Sequence, residues 1–279
     1  TNINAVSVDE YGVLSYDIAE GESVELSKVL YYAKKSPDIT AILIDSQISE
    51  IDKDSLSKLS KLESLEISGN TSITSIDVSG LTSLTTLNAK DLYLTFVDVS
   101  DCSSLTTLDV SDNNLLFLDL SGLSRTLTNH TLSGQTNKTS FTTTTSFDLV
   151  NFIAKNFDDD ITSENVAKNI GLVEEIYDDG TVIQTADYDT NTGIAKFKVI
   201  PTNNLRYYYY VFGKDTTTTS MDVTLSGNGN NFDDNVESVE IDDAGNLTYT
   251  ITAGETATLA DVLNHVDKDE VKTIAIDDQ

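Results

Sequence analysis

The feature that most constrains this chain is an aliphatic frame that returns four times from Ile39 onward: ITAILIDSQ, LESLEISGN, LTTLNAKDL and LTTLDVSDN. Each reads L-x-x-L-x-L, with Ile, Val or Ala accepted at the apolar places. The last apolar frame residues are Ile44, Ile67, Ala89 and Val110, so the steps are 23, 22 and 21 residues. A unit this short cannot bury its own apolar edge. Stacked neighbours can, with successive parallel strands about 4.8 Å apart around one continuous interior. The spacing therefore predicts a solenoid. Three of the four segments carry an amide three residues past the frame (Gln47, Asn70 and Asn113), and the third has Leu92 there.

A second ladder runs between these segments: ITSIDVSG, LTFVDVSD and LLFLDLSG, centred on Ile76, Val97 and Leu118 with steps of 21. Two short extended segments per turn are expected, and the period is that of leucine-rich repeats. From about Ile39 to Leu132 the sequence resembles bacterial leucine-rich-repeat proteins whose turns read L-x-x-L-D-V-S-x-N, a group that includes internalin-like and gut-bacterial surface proteins. The resemblance implies export, attachment to the cell surface and binding of other macromolecules. No signal peptide and no apolar run of spanning length occurs, so the expectation is an extracellular protein whose signal peptide and anchor lie outside this sequence.

A longer repeat frames the solenoid. AVSVDEYGVLSYDIAEGESVELSKVL near the start returns as SVEIDDAGNLTYTITAGETATLADVL near the end. Val6 matches Val239, Asp9 Asp242, Gly12 Gly245, Leu14 Leu247, Tyr16 Tyr249, Gly21 Gly254 and Leu30 Leu263, all at an offset of 233. Each copy reads as a β-hairpin turning at the glycine, then an amphipathic helix. The apolar stripe is Leu26, Val29, Leu30 and Ala33 in the first copy and Leu259, Val262, Leu263 and Val266 in the second. Pro37 ends the first helix, and the solenoid strand TAILID follows; the second copy continues into TIAID. The module reads as a solenoid cap, and a further unit is expected to begin near residue 233, leaving the strand from Thr273 to Ile276 with an open edge.

From Ser133 the frame gives way to SGQTNKTSFTTTTSF. FDLVNFIAKNF then suggests a helical turn, and GIAKFKVI, RYYYYVFG and SMDVTLSG suggest strands. In RYYYYVFG the tyrosines Tyr207 to Tyr210 are expected to alternate between core and surface. The segment from LSGQ to MDVTLSG also looks like the β domain that follows such repeats in gut-bacterial surface proteins. The fold class expected is an α/β solenoid with an α/β cap and a β-sandwich-like domain, Ig-like or α+β. The stretches are 1–38 (cap), 39–132 (solenoid), 133–227 (β-rich domain) and 228–279 (linker and second cap).

Asp plus Glu number 46 against 17 Lys plus Arg, a net charge of −29. Phosphate backbones and anionic headgroups are repelled by such a chain, so neither nucleic acid nor membrane insertion is expected of this segment. The single cysteine, Cys102, cannot form an internal disulfide. It stands 21 residues from both Leu81 and Leu123, in an apolar frame position, so a buried thiol is expected rather than a nucleophile. The two histidines, His130 and His265, are far apart in sequence, and His265 takes the place of Tyr32 in the first cap. G-x-S-x-G, H-E-x-x-H, a phosphate loop and zinc-type cysteine spacing are all missing, so an enzyme is not expected.

Two acidic patterns raise calcium, the one cofactor in question. Asp187, Asp189 and Asn191 precede Gly193 in DYDTNTG with alternate oxygen ligands. The glycine comes one position late, however, and Lys198 stands where a bidentate acid belongs, so a hairpin turn is the competing reading. Asp77, Asp98 and Asp119 recur one turn apart as a like-charge column that is solvated or bridged by a cation.

The candidate binding face is the outward side of the solenoid strands: Ser64, Glu66, Thr86, Asn88, Thr107 and Asp109. Its partner would be a protein or glycan on a host or bacterial surface, an adhesin-like role. The face lacks aromatic anchors and the chain has no tryptophan, which leaves open the alternative of a structural spacer in a tandem-repeat stalk.

Overall fold

The computed structural model describes residues 2–34, 38–123, 125–156, 163–214, 219–232 and 235–274, with the side chains of 163 and 164 left aside. Pro37 and residues 275–279 lie outside them, as does the end of the expected edge strand. The chain divides into two units: 1–136 with 209–223, and 137–208 with 224–279. This division differs from the four contiguous stretches read from the sequence.

The first unit contains β1 (Ile3–Val8), β2 (Val13–Ile18), β3 (Val24–Glu25), α1 (Leu26–Ala33), β4 (Ala41–Ile44), β5 (Ile48–Glu50) and α2 (Lys53–Ser57). It continues through β6 (Ser64–Ile67), β7 (Ser75–Asp77), β8 (Thr86–Asn88), β9 (Phe96–Asp98), β10 (Thr107–Asp109) and β11 (Asn129–Thr131). The main sheet has the order β1-β2-β4-β6-β8-β10-β11. β1 and β2 form an antiparallel hairpin, and every later pairing is parallel. The register sets Leu14, Ile42, Leu65, Leu87, Leu108 and His130 in one column. The five aliphatic members are buried, so the period-two pleat places the whole frame inside. Ile44 pairs with Ile67. Ala89 and Val110 fall one residue past β8 and β10 but keep the ladder, Ala89 N donating to Asp109 O (2.8 Å) and Val110 N to Thr131 O (3.0 Å).

Buried amides hold the turns. Asn70 Nδ2 donates to Asp45 O and Ile48 O, and its Oδ1 accepts from Ser72 N and Ile73 N. Asn113 Nδ2 donates to Ala89 O, Val110 O and Ser111 O, while its Oδ1 accepts from Leu92 N and Leu94 N. Asn113 thus serves the neighbouring turn, where Leu92 stands in place of an amide. Gln135 adds an amide past the three expected, donating to Val110 O and Leu132 O. The residue before each of these positions is left-handed: Gly69, Asp91, Asp112 and Gly134. Glycine has no Cβ to clash there, and aspartate is among the side chains that tolerate that conformation best.

The second ladder is shorter than its spacing predicts. β7 and β9 pair in parallel with Ile76 opposite Val97. Leu118 is buried but lies in no strand. There the chain turns to another partner, Leu120 N donating to Val211 O at 2.7 Å. Residues 209–212 close this end of the solenoid: Tyr209 meets Phe117 edge to face at 5.8 Å, and Phe212 meets His130 at 5.6 Å. RYYYYVFG is therefore a strand only through Tyr209, after which Val211 and Phe212 act as a plug. Tyr207 and Tyr209 are buried and Tyr208 and Tyr210 half-buried.

The second unit follows β12 (Gln135–Asn137), which crosses its boundary. It includes β13 (Ser146–Asp148), α3 (Leu149–Lys155), α4 (Ser163–Asn169), β14 (Ile170–Ile176), β15 (Val182–Thr185), β16 (Asp187–Asp189) and β17 (Ile194–Lys196). β18 (Asn204–Tyr209) leaves this unit at its last residue and β19 (Met221–Leu225) re-enters it at Thr224. The strands form a five-stranded sheet, β12-β19-β18-β14-β15, and a three-stranded one, β13-β17-β16. With α3 and α4 between strands, the arrangement is mixed α and β, not an all-strand sandwich. Phe141, Phe147 and Phe152 cluster at centroid distances of 5.4 to 5.8 Å. The second cap comprises β20 (Val236–Ile241), β21 (Asn246–Ile251), α5 (Leu259–Leu263) and β22 (Thr273–Ile274), with the order β20-β21-β22. One expectation fails here: Leu259, on the predicted apolar stripe, is 41% exposed.

Candidate binding face

Register brings the six predicted face residues together. Ser64, Thr86 and Thr107 stand side by side in one row, and Glu66, Asn88 and Asp109 in the next. Each alternates with a buried leucine, Leu65, Leu87 or Leu108, which fixes its outward direction. The rows extend further than the sequence frame suggested. Asn129 and Thr131 on β11 continue them at one end, and Ala41 and Leu43 on β4 at the other. The signal for β11 was present in LTNHTLSGQ, which keeps the frame but carries histidine at an apolar place. Leu43 is 53% exposed, an apolar contact at the rim of a polar surface.

Threonines just before the strands tie one turn to the next. Thr85 Oγ1 donates to Glu63 O at 2.9 Å and Thr106 Oγ1 to Thr85 O at 3.1 Å. In each L-T-T-L, the first threonine is thus structural and the second faces outward. Within the face, Asp109 Oδ1 accepts from Ser111 N and Oγ, so this carboxylate is partly engaged. Asn88 is different. Its Oδ1 is shielded from solvent and finds no hydrogen-bond partner among the described residues, while Glu66 and Asp109 flank it one strand away on either side. A shielded, unpaired acceptor costs about 1–3 kcal/mol.

The acidic column resolves into local turns. Asp77, Asp98 and Asp119 accept from Ser79 N, Ser100 N and Ser121 N respectively. Asp77 also meets Lys53 Nζ at 2.6 Å. Burial raises the Asp77 pKa, but the bonds from Lys53 and Ser79 outweigh it, and the carboxyl lies below the ordinary range. Cys102 is buried and its Sγ donates to Val78 O at 3.1 Å. Burial pushes the thiol up to about 11, with Asp98, Asp101 and Asp77 adding to the rise. A thiolate nucleophile is disfavoured there.

The second acidic pattern is a hairpin turn. Asp187 and Asp189 lie in β16, and Asp189 Oδ1 accepts from Asn191 N at 2.8 Å and from Asn191 Nδ2 at 3.2 Å. Asp189 Oδ2 accepts from Thr192 Oγ1 and its carbonyl from Gly193 N. The bonds from Asn191 N and Thr192 hold the Asp189 carboxyl below its ordinary range. Gly193 sits at φ +77°, where an added Cβ would meet Val150 Cγ2 at 2.3 Å. Close packing on α3 explains the late glycine. Among the described residues no three His, Cys, Asp or Glu side chains converge as a metal-holding group. The two histidines belong to different units.

Among the described residues no helix is long and apolar enough to cross a membrane. No family model matches the sequence, and no curated protein does. Among solved structures, the functional domain of InlJ from Listeria monocytogenes, which includes a cysteine ladder, is similar at 15% identity and a TM-score of 0.30. That match covers 74% of this chain and 45% of InlJ's, so the chain spans less than half the length of the structure it resembles.

Proposed function

We propose that this chain is a non-catalytic binding module of an extracellular, surface-attached protein, acting through the outward face of its parallel solenoid sheet. The observation that carries the reading is the register that sets the carboxylates of Glu66 and Asp109 on either side of Asn88 in one outward row. Such a row accepts hydrogen bonds, so the fitting partner offers donors, either a basic protein surface or the hydroxyls of a glycan. The net charge of −29 favours approach of cationic partners and disfavours anionic polymers. The test is saturable binding to host or bacterial surface extracts and to glycan arrays. Glu66→Lys with Asp109→Lys should abolish it and Asn88→Ala should weaken it about tenfold, an effect of about 1.4 kcal/mol. Binding indifferent to all three would refute the assignment.

A second reading, a spacer unit in a tandem-repeat stalk, is favoured by a separate observation. The second cap repeats the first in hairpin register, bulge position and turn glycine, all at an offset of 233. A stalk unit has no need of a ligand, so failure of the binding test would favour it. Calcium remains a proposal only for the DYDTNTG hairpin, through Asp187, Asp189 and Asn191; an unchanged thermal midpoint at millimolar calcium would dismiss it.

A further inference from the structure

The two caps share a fold and bury the same hairpin face and most of the same helical stripe, but differ in what lies across the helix end. In the second cap, the segment from Lys198 to Ile200 lies across the end of the helix. Ile200 N donates to His265 O at 2.6 Å, Asp267 N donates to Lys198 O at 2.8 Å, and Val199 pairs antiparallel with Val266. Val199 joins the core formed by Val236, Val239, Leu247, Ile251, Val262 and Val266. Phe232 meets His265 edge to face at 5.0 Å, and Lys198 Nζ reaches the Asp243 carboxylate at the hairpin tip, 3.2 Å away. This segment and Phe232 together make a seat for the cap.

Subtracting 233 transfers the seat's contacts to the first cap: Ile3 for Val236, Val6 for Val239, Glu10 for Asp243 and Tyr32 for His265. Ile3 and Val6 are half-buried where their counterparts are buried, and Tyr32 is 43% exposed where His265 is 6%. A groove of about 460 Å³ opens beside Ile3 and Tyr32, lined also by Val24, Lys28 and Tyr31, with Val6 and Glu10 outside its lining. The helix ends differ in the same sense. α5 stops at Leu263, and Asn264 to Val266 leave it to meet Val199, whereas α1 runs on through the equivalent residues to Ala33.

We propose that the groove of the first cap is a docking site for the seat of a second copy of this chain, Lys198–Ile200 with Phe232, so that β domain and cap join head to tail between copies as they do within one. The occupant is argued from the molecule itself, since the same module in the same register already carries it. The bridging bonds run backbone to backbone, so the exchange of His265 for Tyr32 and of Asp267 for Lys34 does not remove them. Val199 finds Ile3 and Val6 for its apolar contact, and Lys198 finds Glu10 where it had Asp243. Docking unwinds the last turn of α1, as α5 is already unwound. The chain's own second cap holds the seat at high effective concentration, so pairing requires a copy whose seat is vacated. The inference is independent of the binding face on the solenoid sheet.

The experiment mixes two full-length chains. One carries Val266→Asp, to release its second cap, and Tyr32→Asp, to block its own groove; the other is unaltered. Sedimentation should show a one-to-one pair, and Ile3→Asp in the unaltered partner should weaken it tenfold or more. Hydrogen exchange on the pair should slow at Ile200 of the first chain and quicken at Tyr31–Ala33 of the second. Protection of β14 and β18 verifies that the released chain keeps its β domain, with Val262→Asp as the substitute release if it does not. The absence of a pair, a pair indifferent to Ile3→Asp, or a pair in which Ile200 stays unprotected would each overturn the proposal.

Discussion

Leu26 and Leu259 hold the same place in two copies of one module, yet the first is fully buried and the second 41% exposed. The hairpins themselves are alike. Val6 opposite Tyr16 repeats as Val239 opposite Tyr249, and both copies shift register after the first pair. Aspartates at the two tips accept from equivalent backbone amides, Asp9 from Tyr11 and Val13, Asp242 from Ala244 and Asn246. The helices are held differently. Leu26 directly follows β3, which pairs with β5, Val24 N also donating to Gln47 O, and α1 has no side-chain cap. α5 has a full capping box between Thr258 and Asp261, while Ala257 stands where Val24 would and forms no strand. Local sequence thus makes the module, and whatever lies against it decides whether the first residue of the helical stripe joins the core.

The sharpest test of that contrast is truncation of the two leucines. Leu26→Ala should cost about 3–4 kcal/mol, the range for a fully buried leucine, and Leu259→Ala less than about 0.5 kcal/mol, as for a surface site. Denaturant unfolding followed by hydrogen exchange in each cap would read both, and equal losses would break the comparison. The turn glycines should instead behave alike. Gly12 and Gly245 sit at φ +84° and +85°, and an added Cβ would meet Asp38 O at 2.5 Å and Glu270 O at 2.8 Å. Alanine at either should cost about 2 kcal/mol in its own cap, and a loss confined to one copy would show that the hairpins are not equivalent.

The capping box separates the copies again. Thr258→Ala should destabilise α5 by about 1 kcal/mol, whereas Glu25→Ala should leave α1 nearly unchanged, as amide exchange in the first helical turns would show. The smallest effect concerns acid. Bonds from Asn246 and Ala244 hold the exposed Asp242 carboxyl below its ordinary value. A folded-state pKa depressed in this way adds stability above the unfolded value, about 3.9, and that stability disappears as pH falls through the folded one. Protection of the second hairpin tip should therefore decline below about pH 4, and Asp242→Asn should remove that dependence.

Much of this was legible because the solenoid is quasi-one-dimensional. Its contacts join residues one period apart, so the spacing of Ile44, Ile67, Ala89 and Val110 already encodes which strands adjoin and which side chains face in. The outward direction of the six candidate residues was legible for the same reason. The fifth strand was obscured by His130, a polar residue at an apolar place, which Phe212 covers from some eighty positions away in the chain. Leu118 was misread in the opposite sense: its spacing is that of a strand, but a bond from Leu120 to Val211 supersedes the ladder.

Residue spacing alone specifies the repeat, the direction of each frame residue, the amide positions and the cap hairpins, all of which follow from interactions within one period or one turn. Only the folded chain settles what closes the solenoid and what covers the helix end of the second cap but not of the first. Those outcomes depend on contacts between segments far apart in the chain, whose pairing no local periodicity encodes.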